Sequence, residues 1–352
     1  MIAINVASMR KSWSVMKGFV SSTFLMLPKC ITAVGEINRR SIQARIPIET
    51  DLPFGLEIES NGFTALVNRY DVLHYDTERN LFVTSDGEFS IVVKQDTDGI
   101  LAQMSEMAES EESEAIDISP ILPTLGSMVS VMATSTRAML FAKDDILTTT
   151  DGKRCIYSFI PELSAWNSSE VKALPGELMM LARRATACLI SYTDEAIIAD
   201  IDGCRIYQER IEPSEFGVGN TITKREWLSG HRKDTGNFKV DSSVFSDGVK
   251  FVSGFVEKTG KVVPKITVTI KEKEILLVSG KGKKFIPVSE VSPNLVGTRF
   301  AANLEFLLET LAHMDGSEMV ISLKSNGVGA IVFDQLDEKK AAVLMTFTSV
   351  ED

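Results

Sequence analysis

Short turn dipeptides flanked by alternating apolar residues recur along this 352-residue chain: Asp86-Gly87, Asp151-Gly152, Asp202-Gly203, Ser279-Gly280 and Asn326-Gly327. Such pairs supply the positive φ that two-residue hairpin turns require. Their separations of 65, 51, 77 and 47 residues average 60, close to a sixth of the chain. Self-similarity at a fixed spacing marks one supersecondary unit used repeatedly, and it excludes most single-core folds of this length.

What surrounds the turns recurs as well. Residues 175–184 form a short amphipathic stretch, followed by strand patterns at 187–192, 196–201 and 204–210. Residues 304–314 carry apolar side chains at 304, 307, 308 and 311, the stripe of a half-buried helix, and strands follow at 318–324, 329–334 and 341–347. Helices at 118–133 and 240–257 each precede three further strands, at 138–142, 146–150 and 154–159, and at 265–270, 274–278 and 284–288. From residue 118 onward the chain therefore reads as four units of one helix and three strands. Residues 1–94 read as a divergent copy, with a helix within 10–34 and strands near 41–49, 54–60 and 80–94. The expected fold class is α+β. The expected domains are 1–117, including an acidic linker at 95–117, then 118–235 and 236–352, with a polar linker at 217–237 that contributes no core.

The net charge of -11 is unevenly spread. Residues 95–117 hold eight acidic residues and no basic one, whereas residues 1–45 hold seven Lys or Arg against one Glu, and residues 250–284 hold nine Lys against three Glu. Such a chain does not coat nucleic acid indiscriminately, yet it has local basic surface. Cys30, Cys155, Cys188 and Cys204 lack paired spacing, and His74, His231 and His313 are scattered. Neither a metal site nor a histidine triad is expected, and no cofactor is. The apolar run at 18–27 is too short to span a membrane and has no small-residue cleavage pattern, so a cytoplasmic location is expected. Gly280-Lys281-Gly282-Lys283-Lys284 lacks the strand-to-helix context of a phosphate loop and reads as a basic hairpin. Asp200 with Asp202, and Asp144 with Asp145, read as turn residues. Trp13, Trp166 and Trp227 make no stacking platform for single strands.

Two such units per domain and three domains per chain resemble the DNA polymerase sliding clamp of the bacterial β-clamp type. The run 146–154, Ile-Leu-Thr-Thr-Thr-Asp-Gly-Lys-Arg, is similar to that family's second-domain signature, with Lys153 where the family has His. Phe300 with residues 304–311 resembles its last helix. Residues 342–348 resemble its closing strand, with Thr346 in place of Pro. The likeness covers about 118–349 and is that of a divergent member; a phage-encoded source is the expectation.

The resemblance implies a non-catalytic homodimeric ring of six domains that encircles double-stranded DNA without reading sequence. It tethers a DNA polymerase and a clamp loader through short peptide motifs. On this reading Lys11, Lys17, Arg183, Arg184 and Lys250 face DNA. The partner-peptide groove has Thr150, Gly152, Lys153, Arg154 and Cys155 on one wall and Val343, Met345, Thr346 and Phe347 on the other, rimmed by two cations that meet acidic groups. The alternative is a non-catalytic viral structural or assembly protein built on the same repeats.

Overall fold

The computed structural model describes residues 1–18, 22–37, 40–96, 114–130, 139–143, 145–161, 172–210, 225–256, 263–314, 316–335 and 339–347. Its helices are α1 (Arg10–Met16), α2 (Ser60–Arg69), α3 (Leu122–Ser130), α4 (Gly176–Ala182), α5 (Arg225–Arg232), α6 (Ser242–Ser253) and α7 (Leu304–His313). All except α5 sit in one recurring order: strand, helix, three-strand meander. Among the described residues this order occurs six times, and Val92–Asp96 is an additional strand after the second copy. The repeat thus has a leading strand that the sequence pattern did not separate from its helix. Residues 240–241 end the strand Gly236–Asp241, and residues 300–303 lie within the strand Arg299–Asn303.

The leading strands explain why the copies come in pairs. Each one pairs antiparallel with the meander of the other copy in its pair. Ile2–Asn5 lies on Val72–Asp76, and Gly55–Glu59 on Thr23–Met26. Ile116–Asp117 lies on Cys188–Tyr192, and Lys172–Pro175 on Met139–Lys143. Gly236–Asp241 lies on Glu318–Leu323, and Arg299–Asn303 on Lys265–Ile270. Each four-stranded layer is therefore completed only by its counterpart.

The chain packs as two compact units, Met1–Pro123 with Glu177–Arg210, and Thr124–Gly176 with Ile211–Asp352. In the first, Cys204–Glu209 pairs with Arg40–Pro47 and fuses two layers into a nine-stranded sheet. In the second, Arg154–Phe159 pairs with Lys340–Met345 to make an eight-stranded sheet. Each unit also keeps a separate four-stranded sheet, with outermost meander strands Gly87–Phe89 and Gly282–Pro287, respectively.

Aromatic packing fixes the first unit. Trp13 of α1 is buried against Phe24 and Phe63, with ring centroids 4.7 and 5.1 Å away, and its indole N–H donates to Thr64 Oγ1 at 3.0 Å. This satisfies the polar end of a large apolar side chain. Within the apolar run at 18–27, Phe24, Met26 and Leu27 are buried, while residues 19–21 lie outside the described residues. The helix expected within 10–34 occupies Arg10–Met16 only, because residues 30–37 form a second strand. In the second unit, Gly248 of α6 lies where an added Cβ would be 2.4 Å from Ile286 Cδ1, so glycine sets the helix-to-sheet spacing there.

The hairpin Ala196–Ile201 to Cys204–Glu209 turns on Asp202 (φ 48°) and Gly203 (φ 80°), the pair of positive φ values its dipeptide implied. Gly152, Gly280 and Gly327 also take positive φ, but the first hairpin is shifted by one residue and turns on Ser85-Asp86, leaving Gly87 in a strand. Two linker readings are corrected. Region 217–237 contains α5, whose Leu228 is buried in the second unit's core, and the start of a strand. Two adjacent apolar residues, Trp227 and Leu228, in an otherwise polar two-turn helix give too little periodicity to read. The ends of the acidic stretch are strands, Val92–Asp96 and Ile116–Asp117, while its residues 97–113 lie outside the described residues.

Candidate functional site

The turn 150–154 is held by its own side chains. Thr150 Oγ1 accepts from Gly152 N–H at 3.0 Å and donates to Arg154 O at 2.8 Å. The Asp151 carboxylate accepts from the N–H groups of Lys153 and Arg154 at 2.9 and 3.1 Å. Gly152 supplies φ 84° in open space, so conformational freedom rather than lack of room is its role there. Beyond the turn, Cys155 is register partner to Val343, and Met345 N–H donates to Lys153 O at 3.1 Å. The two expected groove walls are thus neighbours in one sheet.

Their side chains divide into two sets. Thr150, Cys155 and Val343 are buried, and Cys155 and Val343 share a cluster with Tyr157, Val332 and Leu228 of α5. Burial pushes the Cys155 thiol up to about 11, with the Thr150 hydrogen bond opposing weakly, so it stays protonated and is no nucleophile. Lys153 and Gly152 are exposed, and Met345 is 48% exposed. Thr346 and Phe347 are half-buried. Thr346 N–H donates to Gly329 O at 2.7 Å, a bond that proline could not make, and Phe347 N–H donates to Ala301 O at 2.9 Å.

Arg154 differs most from its expected role as a rim cation. Its side chain is fully buried. Nε donates to Asp151 Oδ2 at 3.1 Å, Nη1 donates to the Glu309 carboxylate of α7, and the guanidinium lies 4.3 Å from the centroid of Phe306. Nη2 is buried with no acceptor among the described residues. A guanidinium held by two carboxylates and a ring face is a structural tie between the turn and α7. Lys153 Nζ, 5.8 Å from the same ring, is the exposed cation of the turn. Phe306, Glu309 and Leu228 are site residues the sequence reading missed. Phe306 and Glu309 flank the pair Leu307-Leu308 and so sit off the apolar stripe of α7, facing a turn about 155 residues away.

The expected DNA-facing cations separate between the units. Gly18 abuts Leu181 of α4, since an added Cβ would lie 2.8 Å from Leu181 Cδ2. The end of α1 and the end of α4 are therefore adjacent in the first unit. Exposed Lys17 caps α1, while exposed Arg184 and half-buried Arg183 follow α4, which ends at Ala182. Lys11 is exposed on α1 and adds a small attraction that helps keep Asp202 ionised. Burial opposes the Asp202 charge, but hydrogen bonds from Thr186 and Ala187 outweigh it and hold this carboxyl below its ordinary value. Lys250 is exposed on α6 in the second unit, 3.5 Å from Asp247. Arg10 of α1 is consumed structurally, donating to Val67 O, Tyr70 O and Asp71.

No helix among the described residues is long and apolar enough to cross a membrane. No family model matches the sequence, and no curated protein does. Solved structures do match, along essentially the whole chain. The Caulobacter crescentus DNA polymerase III β subunit superposes with a TM-score of 0.73 at 12% identity, covering 99% of this chain and 100% of its own. The Pseudomonas aeruginosa β subunit gives 0.72 at 11%, with the same coverage. A Bartonella birtlesii sliding clamp bound to griselimycin gives 0.71 at 14%, covering 99% of each chain. The fold is that of the DNA polymerase III β sliding clamps.

Proposed function

We propose that this chain is a non-catalytic sliding clamp, closing as a homodimeric ring around duplex DNA and tethering a polymerase to it. The observation that supports this most is the end-to-end correspondence with clamp structures: all six strand–helix–meander repeats lie within a fold match that leaves almost nothing over in either chain. The three pairs of repeats are then the three domains, with boundaries near 117 and 235. A ring holds DNA topologically, so it needs mobile cations rather than tight or base-specific contacts. Lys17, Arg183 and Arg184 suit that role, as do Lys11 on α1 and Lys250 on α6 of the second unit.

A second copy has a place to dock. The outermost strand Gly282–Pro287, paired on one edge with Glu274–Ser279, lies beside Phe255, and Phe251, Phe255 and Phe285 are each about half exposed. An open sheet edge flanked by aromatic surface calls for a covering partner, and the edge Gly87–Phe89 of another copy is the counterpart. The peptide-docking surface is the wall of Gly152, Lys153, Phe306, Met345, Thr346 and Phe347, where a soft methionine and two aromatics offer adaptable apolar contact. Polymerase and clamp-loader segments dock there, in the cytoplasm of a bacterial or phage-infected cell.

Negative-stain electron microscopy at micromolar protein, averaged without a ring template, tests the proposal. Closed rings with six-fold pseudo-symmetry and a hole wide enough for duplex DNA are expected. Compact particles without a hole, at every concentration and also with DNA, would overturn it.

A further inference from the structure

The charge at the docking wall is opposite to what the sequence implied. Arg154 is withdrawn behind Phe306 and neutralised by Asp151 and Glu309. Glu309 remains partly exposed, at 28%, and Glu305 is exposed one turn earlier on the same stripe of α7, at i and i+4. Against the carboxylates Asp151, Glu305 and Glu309 stand Arg154 and Lys153, so these five groups carry one net negative charge. The buried Nη2 of Arg154, without an acceptor among the described residues, lies at the base of this wall.

We infer that the segment docking on this wall is an apolar–aromatic peptide carrying a cationic side chain where it passes α7, and that an acidic side chain there is disfavoured. This rests on the docking reading above and adds the sign of the partner's charge. The ammonium or guanidinium of the segment meets Glu305 and Glu309, while its apolar residues cover Phe306 and Met345. Lys153, 5.8 Å from the centroid of the same ring, faces the segment's backbone.

The test is fluorescence anisotropy with the full chain and three labelled octapeptides, Gly-Xaa-Leu-Xaa-Leu-Phe-Xaa-Gly, in which Xaa is Lys, Gln or Asp. At about 50 mM salt the Lys probe should bind roughly tenfold tighter than the Asp probe, and the ratio should fade as salt rises. Glu305→Gln, at an exposed position that leaves the Arg154 cluster intact, should cut the ratio to roughly threefold. Asp194→Asn, an exposed carboxylate of the first unit, should leave it unchanged. An Asp probe that binds as tightly as the Lys probe overturns the charge inference and leaves docking standing. Equal effects of Glu305→Gln and Asp194→Asn overturn the placement at α7, since only overall charge would then be acting. No binding of any probe overturns the docking reading itself, and this inference with it.

Discussion

Removing the Arg154 side chain tests whether one buried cation joins α7 to the turn. Arg154→Ala leaves Asp151, whose side chain is 3% exposed, facing the cavity that the guanidinium vacates. Breaking a buried pair in this way costs about 3–5 kcal/mol, the lost stack on Phe306 included. Glu309 is 28% exposed, so water compensates its half of the cluster and Glu309→Ala should cost only about 1 kcal/mol. The expected order is Arg154→Ala, then Asp151→Ala, then Glu309→Ala, with roughly 4 kcal/mol for the first. Amide hydrogen exchange in Arg154–Phe159 and Lys340–Met345 reads the opening of this sheet directly, and 4 kcal/mol corresponds to roughly a thousandfold loss of protection. Arg154→Ala and Glu309→Ala each costing under about 1 kcal/mol would refute the reasoning, because the guanidinium would then be effectively solvated.

Replacing Lys17, Arg183 and Arg184 by Gln should weaken duplex DNA binding and flatten the dependence of log affinity on log salt by about 2–3; an unchanged slope in a filter-binding titration would remove these residues from the DNA surface. Phe251→Ser with Phe255→Ser should shift the chain from dimer to monomer in analytical ultracentrifugation with little loss of helix signal, since both side chains are about half exposed; an unaffected dimer would place the interface elsewhere. Gly203→Ala imposes φ 80° on an L-residue and brings its Cβ to 3.0 Å from Ser12 Oγ, so thermal unfolding should show a loss of about 1–2 kcal/mol. Because the folded-state Asp202 carboxyl is held below its ordinary value, its contribution is present above the unfolded pKa near 4 and disappears as pH falls through the lower folded value. Asp202→Asn should therefore narrow the stability gap between pH 6 and pH 3, and an unchanged gap would count against this linkage.

The strands that the sequence located best are those with their own local signals. Ile146–Thr150, Arg154–Phe159 and Lys265–Ile270 alternate β-branched or apolar residues between turn residues, and these strands have the expected limits. Gly236–Asp241 escaped because it has only Phe238 and Val240 as inward apolar side chains and runs straight into α6 without a loop. Asp241 is both its last residue and the N-cap of that helix, its carboxylate accepting from Val244 N–H. At the candidate site, the turn was legible because Thr150, Asp151 and Gly152 interact within five residues. The withdrawal of Arg154 was not, because Glu309 and Phe306 are more than 150 positions away, and no local pattern links them.

The exchange of leading strands has a consequence for synthesis. Ile2 finds its register partner at Tyr75, so the first strand must wait, unpaired, until some seventy further residues have left the ribosome. Arg45 waits longer, for Arg205, and Arg154 waits for Leu344, almost at the end of the chain. Long-range pairing of this kind is slow and leaves open edges exposed to other chains. A nascent chain paused near residue 120 would present one edge of Arg40–Pro47 uncovered, the other being paired with Cys30–Ile37. For such a chain, the ordering of translation and chaperone capture governs yield more strongly than the final stability of either unit.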